Sequence, residues 1–225
     1  MIVASHQPNF LPYMGFFYKM HMCDVFTLSD SVQFSSKGFH NYNYVRTDME
    51  RSKLTVPVTN KGGLIRDVQL SEWEHNRKKL IKRLQNDYGR APYFDLIFPR
   101  IEWELGKDYV FMSDLNEGLI RVSCDLLGID CRIVKESLLD ITGDTPTEQI
   151  ADICKKTGCY TYLSGTGAKE YLDAGFLRTN GINVLWSDYE PDQSNLSVIH
   201  HLMHNGAGIP AGWEEKKEAL RLERF

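Results

Sequence analysis

A short apolar run that stops at a polar cluster, passes through a proline-containing loop into a helix, and returns as a second apolar run limits this chain's folds more than any other feature. Met1-Ile2-Val3-Ala4-Ser5 reads as a buried strand ending at His6-Gln7, where Pro8 forces an extended or turn backbone. Pro12 suits the first turn of a helix that sets Met14, Phe16, Phe17 and Met20 against a sheet. A second strand, Val25 to Leu28, ends at Ser29-Asp30-Ser31 and Gln33. Parallel strands joined by a helix bring both clusters to one sheet edge, the edge at which open α/β sheets bind ligands. His6, Gln7, Asn9, Asp30 and Gln33 therefore form one candidate site.

The same grammar recurs near the end of the chain. Tyr160-Thr161-Tyr162-Leu163 reads as a strand, Ser164-Gly165-Thr166-Gly167 as a turn, and Ala168 to Leu172 as the helix that follows. Backbone N–H groups at such a turn can hold an anion, although short βα turns need glycine for steric reasons as well. Between the two units, Leu54 to Val58 and Val68 to Leu70 read as strands, with Pro57 at an edge or an end. Helical spacing then covers Trp73 to Tyr88, Pro92 to Leu105 and Met112 to Leu127, a helical insertion of about 73–128. Strands Cys131 to Val134 and Ile182 to Trp186 and helices Thr147 to Thr157, Asn195 to Met203 and Glu214 to Leu222 complete the pattern. Strand–helix alternation predicts an α/β fold, a mostly parallel sheet flanked by helices in Rossmann-like layering, within a single domain of residues 1–225.

Composition narrows the function. A formal charge of −4 argues against a nucleic-acid partner, and no apolar run reaches the roughly 20 residues of a membrane span. Without a signal-peptide pattern at the start, a cytoplasmic location is expected. The five cysteines, Cys23, Cys124, Cys131, Cys154 and Cys159, are scattered and lack a C-x-x-C pair, so they read as reduced packing residues. The run Arg77, Lys78, Lys79, Lys82 and Arg83 reads as a solvated helix face, with an anionic partner as the alternative.

Three groups carry the candidate chemistry. His6 could act as a general base, since an unperturbed imidazole titrates near ~6.5, with Asp30 orienting it; otherwise His6 only shapes the Pro8 turn. The amides Gln7, Asn9, Gln33, Asn41 and Asn43 offer donors and acceptors that suit sugar hydroxyls or an acyl amide, and the stretch Lys37 to Thr47, which interleaves aromatics with amides and cations, reads as the lining of a polar pocket or as a surface loop with partly buried aromatics. Ser164, Gly165, Thr166 and Gly167 could bind an anionic part of a substrate. His200 and His204, at i and i+4, could bind a transition metal but show no third ligand, so no metal site is expected.

His6-Gln7-Pro8-Asn9-Phe10-Leu11-Pro12, Gly15-Phe16-Phe17, Val32-Gln33-Phe34, Asn41-x-Asn43, Leu54-Thr55-Val56-Pro57-Val58, Ala91-Pro92-Tyr93-Phe94 and Tyr162-Leu163-Ser164-Gly165 resemble the WbqC-like family, in order and over nearly the whole chain. The resemblance implies a bacterial protein of O-antigen or other polysaccharide biosynthesis, in which transfer of glycine to a sugar has been suggested. No role is carried over to the helix of His200, His201 and His204, which departs from the family's pattern. A looser likeness to nucleotidylyltransferase-like proteins supports the layering only, because the first helix lacks their histidine pair.

The expected function is transfer of a small acyl group, glycyl or aminoacyl among the options, to a sugar or related metabolite. His6 and Asp30 would be the acid/base pair, and the partners a small-molecule or sugar-linked substrate and a carrier-bound acyl donor. A noncatalytic binding protein and an adenylating or nucleotidylyl-transferring enzyme are the alternatives. No cofactor, oligomeric state or pathway is assigned by the sequence.

Overall fold

The computed structural model describes residues 1–47, 50–190 and 195–222. Five strands form one sheet: β1 (Ile2–His6), β2 (Val25–Leu28), β5 (Arg132–Lys135), β6 (Thr161–Ser164) and β7 (Asn183–Trp186), in the order β5-β2-β1-β6-β7. Every pairing is parallel, with Val3 opposite Val25 on one side of β1 and opposite Tyr162 on the other. The chain leaves β1 in one direction to build β2 and β5, then crosses back to build β6 and β7. Consequently the strand order reverses between β1 and β6, which opens a crevice there at the carboxyl edge.

Alternation along the strands separates two packed faces. Ile2, Ala4, Phe26 and Leu28 point into the larger core, whereas Val3 and Val25 join Ile153, Cys154 and Leu177 on the other face. The larger core takes in α1 (Met14–His21) and the helical middle third, α2 (Trp73–Tyr88), α3 (Phe94–Leu105) and α4 (Met112–Leu127). The smaller face is covered by α5 (Pro146–Thr157) and α6 (Ala174–Thr179), and α7 (Val198–Asn205) and α8 (Trp213–Leu222) close the chain. Helix α5 has the clearest local start: Thr145 accepts from the Glu148 N–H, Glu148 reaches back to the Thr145 N–H, and Pro146 occupies the first turn. Among the described residues, no helix is long and apolar enough to cross a membrane.

A separate antiparallel hairpin, β3 (Tyr42–Thr47) and β4 (Glu50–Thr55), uses the aromatic stretch as its own ladder. The Arg51 guanidinium lies 3.8 Å from the Tyr44 ring centre and the Lys53 ammonium 3.6 Å from that of Tyr42. The expected strand through Val58 ends instead at Thr55. Pro57 has no N–H to continue a ladder, its carbonyl accepts from the Ser71 N–H, and Val58 keeps only an isolated bridge to Leu70. The helix expected right after Gly167 is also broken. A 3₁₀ turn over Thr166–Glu170 ends at Tyr171, and Asp173 caps a new helix by accepting the Phe176 N–H at 2.9 Å.

The loop between β1 and α1 is buried, with Pro8, Asn9, Phe10 and Leu11 all inside, so its carbonyls need internal donors. Asn43 Nδ2 donates to the Phe10 and Leu11 carbonyls at 3.2 and 2.8 Å, and its Oδ1 accepts from the Tyr44 N–H. Asn116 Nδ2, from α4, donates to the Pro8 and His40 carbonyls at 2.8 and 2.7 Å. Leu11 is held at φ 41°, a left-handed conformation that a branched side chain adopts only under tertiary constraint. Removing Asn43 as a donor should therefore cost about 1–3 kcal/mol, the range for stranding buried polar groups. Urea unfolding of Asn43→Ala measures it, and an unchanged midpoint would show that the loop does not depend on this clamp.

Candidate active site at the strand-order reversal

A cleft of about 550 Å³ opens at the carboxyl edge where β1 and β6 diverge. Ser5, His6 and Gln7 line it from β1, Ser29 from the end of β2, and Ser164, Gly165 and Gly167 from the end of β6. The first turns of α5 contribute Pro146, Gln149 and Ile150, and Tyr171 stands at the exposed rim. Topology thus brings together the two sequence clusters that the repeated strand-turn-helix grammar singled out.

Not every candidate reaches the cleft. Asn41 donates to the Val56 carbonyl at 2.9 Å, Asn43 clamps the β1–α1 loop, and Gln33 lies at the surface donating to the Gly62 carbonyl at 2.8 Å. Asn9 is buried, and its Oδ1 has no hydrogen-bond partner among the described residues. Thr166 is exposed at the start of the 3₁₀ turn and is absent from the lining. Three of the five amides are thus engaged with backbone carbonyls, because a primary amide serves a main-chain acceptor as readily as a sugar.

The expected hydrogen-bonded pair of His6 and Asp30 is not formed. His6 Nδ1 lies 3.0 Å from the Gln7 carbonyl, so it carries the proton and leaves Nε2 as an acceptor. Both Asp30 oxygens are taken by Ser137, one by its N–H at 2.9 Å and the other by its hydroxyl at 2.7 Å. Asp30 is buried and fastens the turn after β5, which carries Glu136. It is a positioning residue here.

Lys19 and Glu136 were missed by the sequence reading, and both line the cleft. Lys19, from the inner face of α1, is only 8% exposed and donates to the Ser5 carbonyl at 2.8 Å. Burial holds its ammonium at about 8, well below the usual lysine value. Burial raises the Glu136 carboxyl, with the Ser29 hydroxyl bond pulling the other way and Asp30 adding to the rise. Ser29 Oγ is also 2.6 Å from Ser5 Oγ, so hydroxyls connect the floor of the cleft to this carboxyl. The signal for Lys19 was a single cation in the apolar face of Met14-Gly15-Phe16-Phe17-Tyr18-Lys19-Met20, where solvent cannot be reached.

Burial first, then the Lys19 charge, pushes His6 down to about 3, and burial alone pushes His40 down to about 4. His6 is thus a neutral hydrogen-bonding group near pH 7 and too weak a base to take a proton from a substrate efficiently. Burial also raises the thiols of Cys154, to about 12, and of Cys124 and Cys23, which weakens these three as nucleophiles. The His200 and His204 rings lie tilted against each other and beside Tyr88, and among the described residues no three His, Cys, Asp or Glu side chains are grouped to hold a metal.

Two measurements check this electrostatic picture. With lysines reductively methylated using ¹³C-formaldehyde, the Lys19 resonance should titrate near 8; titration above 10 would show that its amine is solvated. In acid, the unfolded chain protonates its histidines near ~6.5, whereas folded His40 and His6 resist until about 4 and about 3. The unfolded state therefore holds more protons in that window, and stability is complete above ~6.5 and falls as pH drops through it. His40→Phe should remove up to about 1.4 kcal/mol per pH unit from the slope between pH 6 and 4.5. An unchanged slope in urea titrations at stepped pH would contradict the assignment.

The WbqC-like protein family model matches residues 7–209, which includes every strand of the sheet except β1. The chain is 28% identical over 197 residues to "Uncharacterized protein Rv1507c" of Mycobacterium tuberculosis (strain ATCC 25618 / H37Rv), covering 84% of this chain and 82% of that one. No solved structure matches it. With a match running from Gln7, just after β1, to Ile209 beyond α7, the chain belongs to the WbqC-like protein family.

Proposed function

We propose that this protein is a transferase that moves a small acyl group onto an amino or hydroxyl group of a sugar or related metabolite, with Lys19 as the general base. Membership of the WbqC-like family suggests a role in polysaccharide or O-antigen-type biosynthesis, and nothing finer. One observation carries the reading: a buried lysine, its amine held on the Ser5 carbonyl, lines a cleft at the point where an α/β sheet binds its ligands, and burial lowers its pKa to about 8.

In the proposed reaction the acceptor's lone pair attacks the acyl carbon, a new C–N or C–O bond forms, and the attacking group's proton passes to the Lys19 amine. The bond to the donor's leaving group then breaks, and Lys19 returns the proton to it. Lys19 keeps an N–H on the Ser5 carbonyl throughout, which aims its lone pair. The cleft holds the acyl donor, which neutral His6 orients through Nε2. Gly165 and Gly167 supply room: a Cβ at either would meet no atom within 4 Å, and Gly165 has an ordinary φ of −72°. Neither packing nor backbone demands glycine at 165, so close approach by a ligand is the physical use for its missing side chain.

The test begins with a thermal-shift screen of acyl thioesters and sugar nucleotides, then follows acyl transfer for the pair that binds. Turnover should rise with pH and level off above about 8 as Lys19 loses its proton. Lys19→Met should lower turnover by ~100- to 10,000-fold in a protein that stays folded and still binds substrate. Gly165→Leu should instead weaken binding more than it slows the chemical step. A Lys19→Met protein that converts substrate as fast as the parent rules this mechanism out, and binding without conversion in the parent would favour a noncatalytic binding protein.

A further inference from the structure

Acyl transfer between two molecules requires that both be held with reacting atoms about 3–3.5 Å apart, so a cleft for one partner must open onto room for the other. Such room exists. A second hollow of about 360 Å³ lies beside the first, bounded by Ser31, Leu64, Arg66, Ser137, Asp140 and Ile141. Val32, Glu136 and Gln149 line both hollows, so the two meet along one shared wall. Glu136 is the one ionisable residue of the three, and it is only 8% exposed.

The hollow is built to a pattern. Asp30 anchors its floor from below: its carboxylate holds Ser137 and its carbonyl accepts the Arg66 N–H at 3.0 Å. Arg66 Nη1 donates to Ser31 Oγ at 3.0 Å, which steers the guanidinium along the hollow. Its Nε is 4.0 Å from the Asp67 carboxylate, too far for a hydrogen bond, so that neighbour leaves most of the fork uncommitted. The other charges facing the hollow are acidic: Glu136 on the shared wall and Asp140 at the exposed rim, where the backbone turns through φ 51°. A cation on one side and carboxyls on the other select a ligand with two different ends.

We propose that this hollow is the acceptor site, taking a small polar molecule that places an oxyanion, carboxylate or phosphate, on Arg66 and a hydroxyl or amine against Glu136 at the mouth of the first cleft. The proposal rests on reading the first cleft as the donor's site. It assigns Arg66, Ser31 and Glu136 as binding residues and gives Asp30 its purpose, since one buried residue fixes Ser137 through its carboxylate and the Arg66 backbone through its carbonyl. Glu136 then presents the nucleophilic end of the acceptor to the first cleft.

Amide NMR titration tests this without turnover, using inorganic phosphate and acetate as separate probes of the Arg66 end. In the parent protein at least one of them should give saturable shifts at Ser31, Arg66 and Ser137, and the tighter of the two names the oxyanion. Arg66→Ala should weaken that binding at least tenfold, with Arg66→Lys recovering part of it, because a lysine keeps the charge and loses the fork. Gly165→Leu, which fills the first cleft, should leave the affinity unchanged. Shifts that do not saturate by 100 mM for either probe, or equal affinity in Arg66→Ala, would overturn the proposal. If both results hold while Lys19→Met retains full turnover, the acceptor hollow stands and the mechanism assigned to the first cleft falls; the opposite pattern removes the hollow alone.

Discussion

Four buried carbonyls around the β1–α1 loop set the terms for the rest of the molecule. Pro8, Phe10 and Leu11 run through the interior, where an unpaired carbonyl costs about as much as a lost hydrogen bond, and His40 follows the same path nearby. Two side-chain amides meet that demand, Asn43 from the hairpin and Asn116 from the helical middle third. The loop can then leave β1 at a fixed angle, keep Leu11 in a left-handed conformation, and hold His6 and Gln7 at the mouth of the crevice. Helix α7 adds a third tie, since the Val198 N–H donates to the Pro12 carbonyl at 2.7 Å. Segments far apart in the chain therefore converge on one short loop, and the helical insertion serves the sheet's ligand edge even though it stands outside the sheet.

Burial of charge is the second constraint, and it acts on two residues lining the cleft in opposite directions. A lysine and a carboxyl that share one partly dry cleft are both driven toward their neutral forms, the amine downward and the acid upward. A lysine with a lowered pKa frees its lone pair earlier as pH rises, and a carboxyl with a raised one keeps its proton longer. The depression of His6 belongs to the same effect, with Lys19 adding repulsion. Burial is the larger cause and the Lys19 charge adds to it, so the imidazole stays neutral, whereas lysine starts roughly four units higher and keeps its proton further up the pH scale.

Most of the sheet was legible from residues 1–34 and 160–186, because parallel strands buried on both faces leave continuous apolar runs and polar stops. The same stops located the cleft, through His6, Gln7, Ser164, Gly165 and Gly167. What failed was the allocation of side chains within it. Asn41 and Asn43 have the chemistry to bind a sugar, but burial made the main chain their partner, and no local pattern distinguishes those uses. Asp30 was correctly placed after a strand, yet its partner Ser137 is 107 residues away. Lys19 hid within helical periodicity, where a long cation reads as a surface residue unless every neighbouring position is apolar.

The placement of Asp30 shows how a site can be specified by a residue that does not touch it. Its carboxylate satisfies two donors of Ser137, and its carbonyl satisfies the backbone of Arg66, so a rotation of this one residue would disturb both sides of the smaller hollow. Glu136 precedes Ser137 directly, and the 3₁₀ turn that it opens leaves little freedom for its carboxyl to move away from the wall between the hollows. A mobile carboxylate would swing toward solvent to escape its desolvation cost; a pinned one must keep that cost and hold its proton more tightly instead. The acid's altered affinity for a proton therefore originates in a hydrogen-bonded turn, one step removed from the group that titrates.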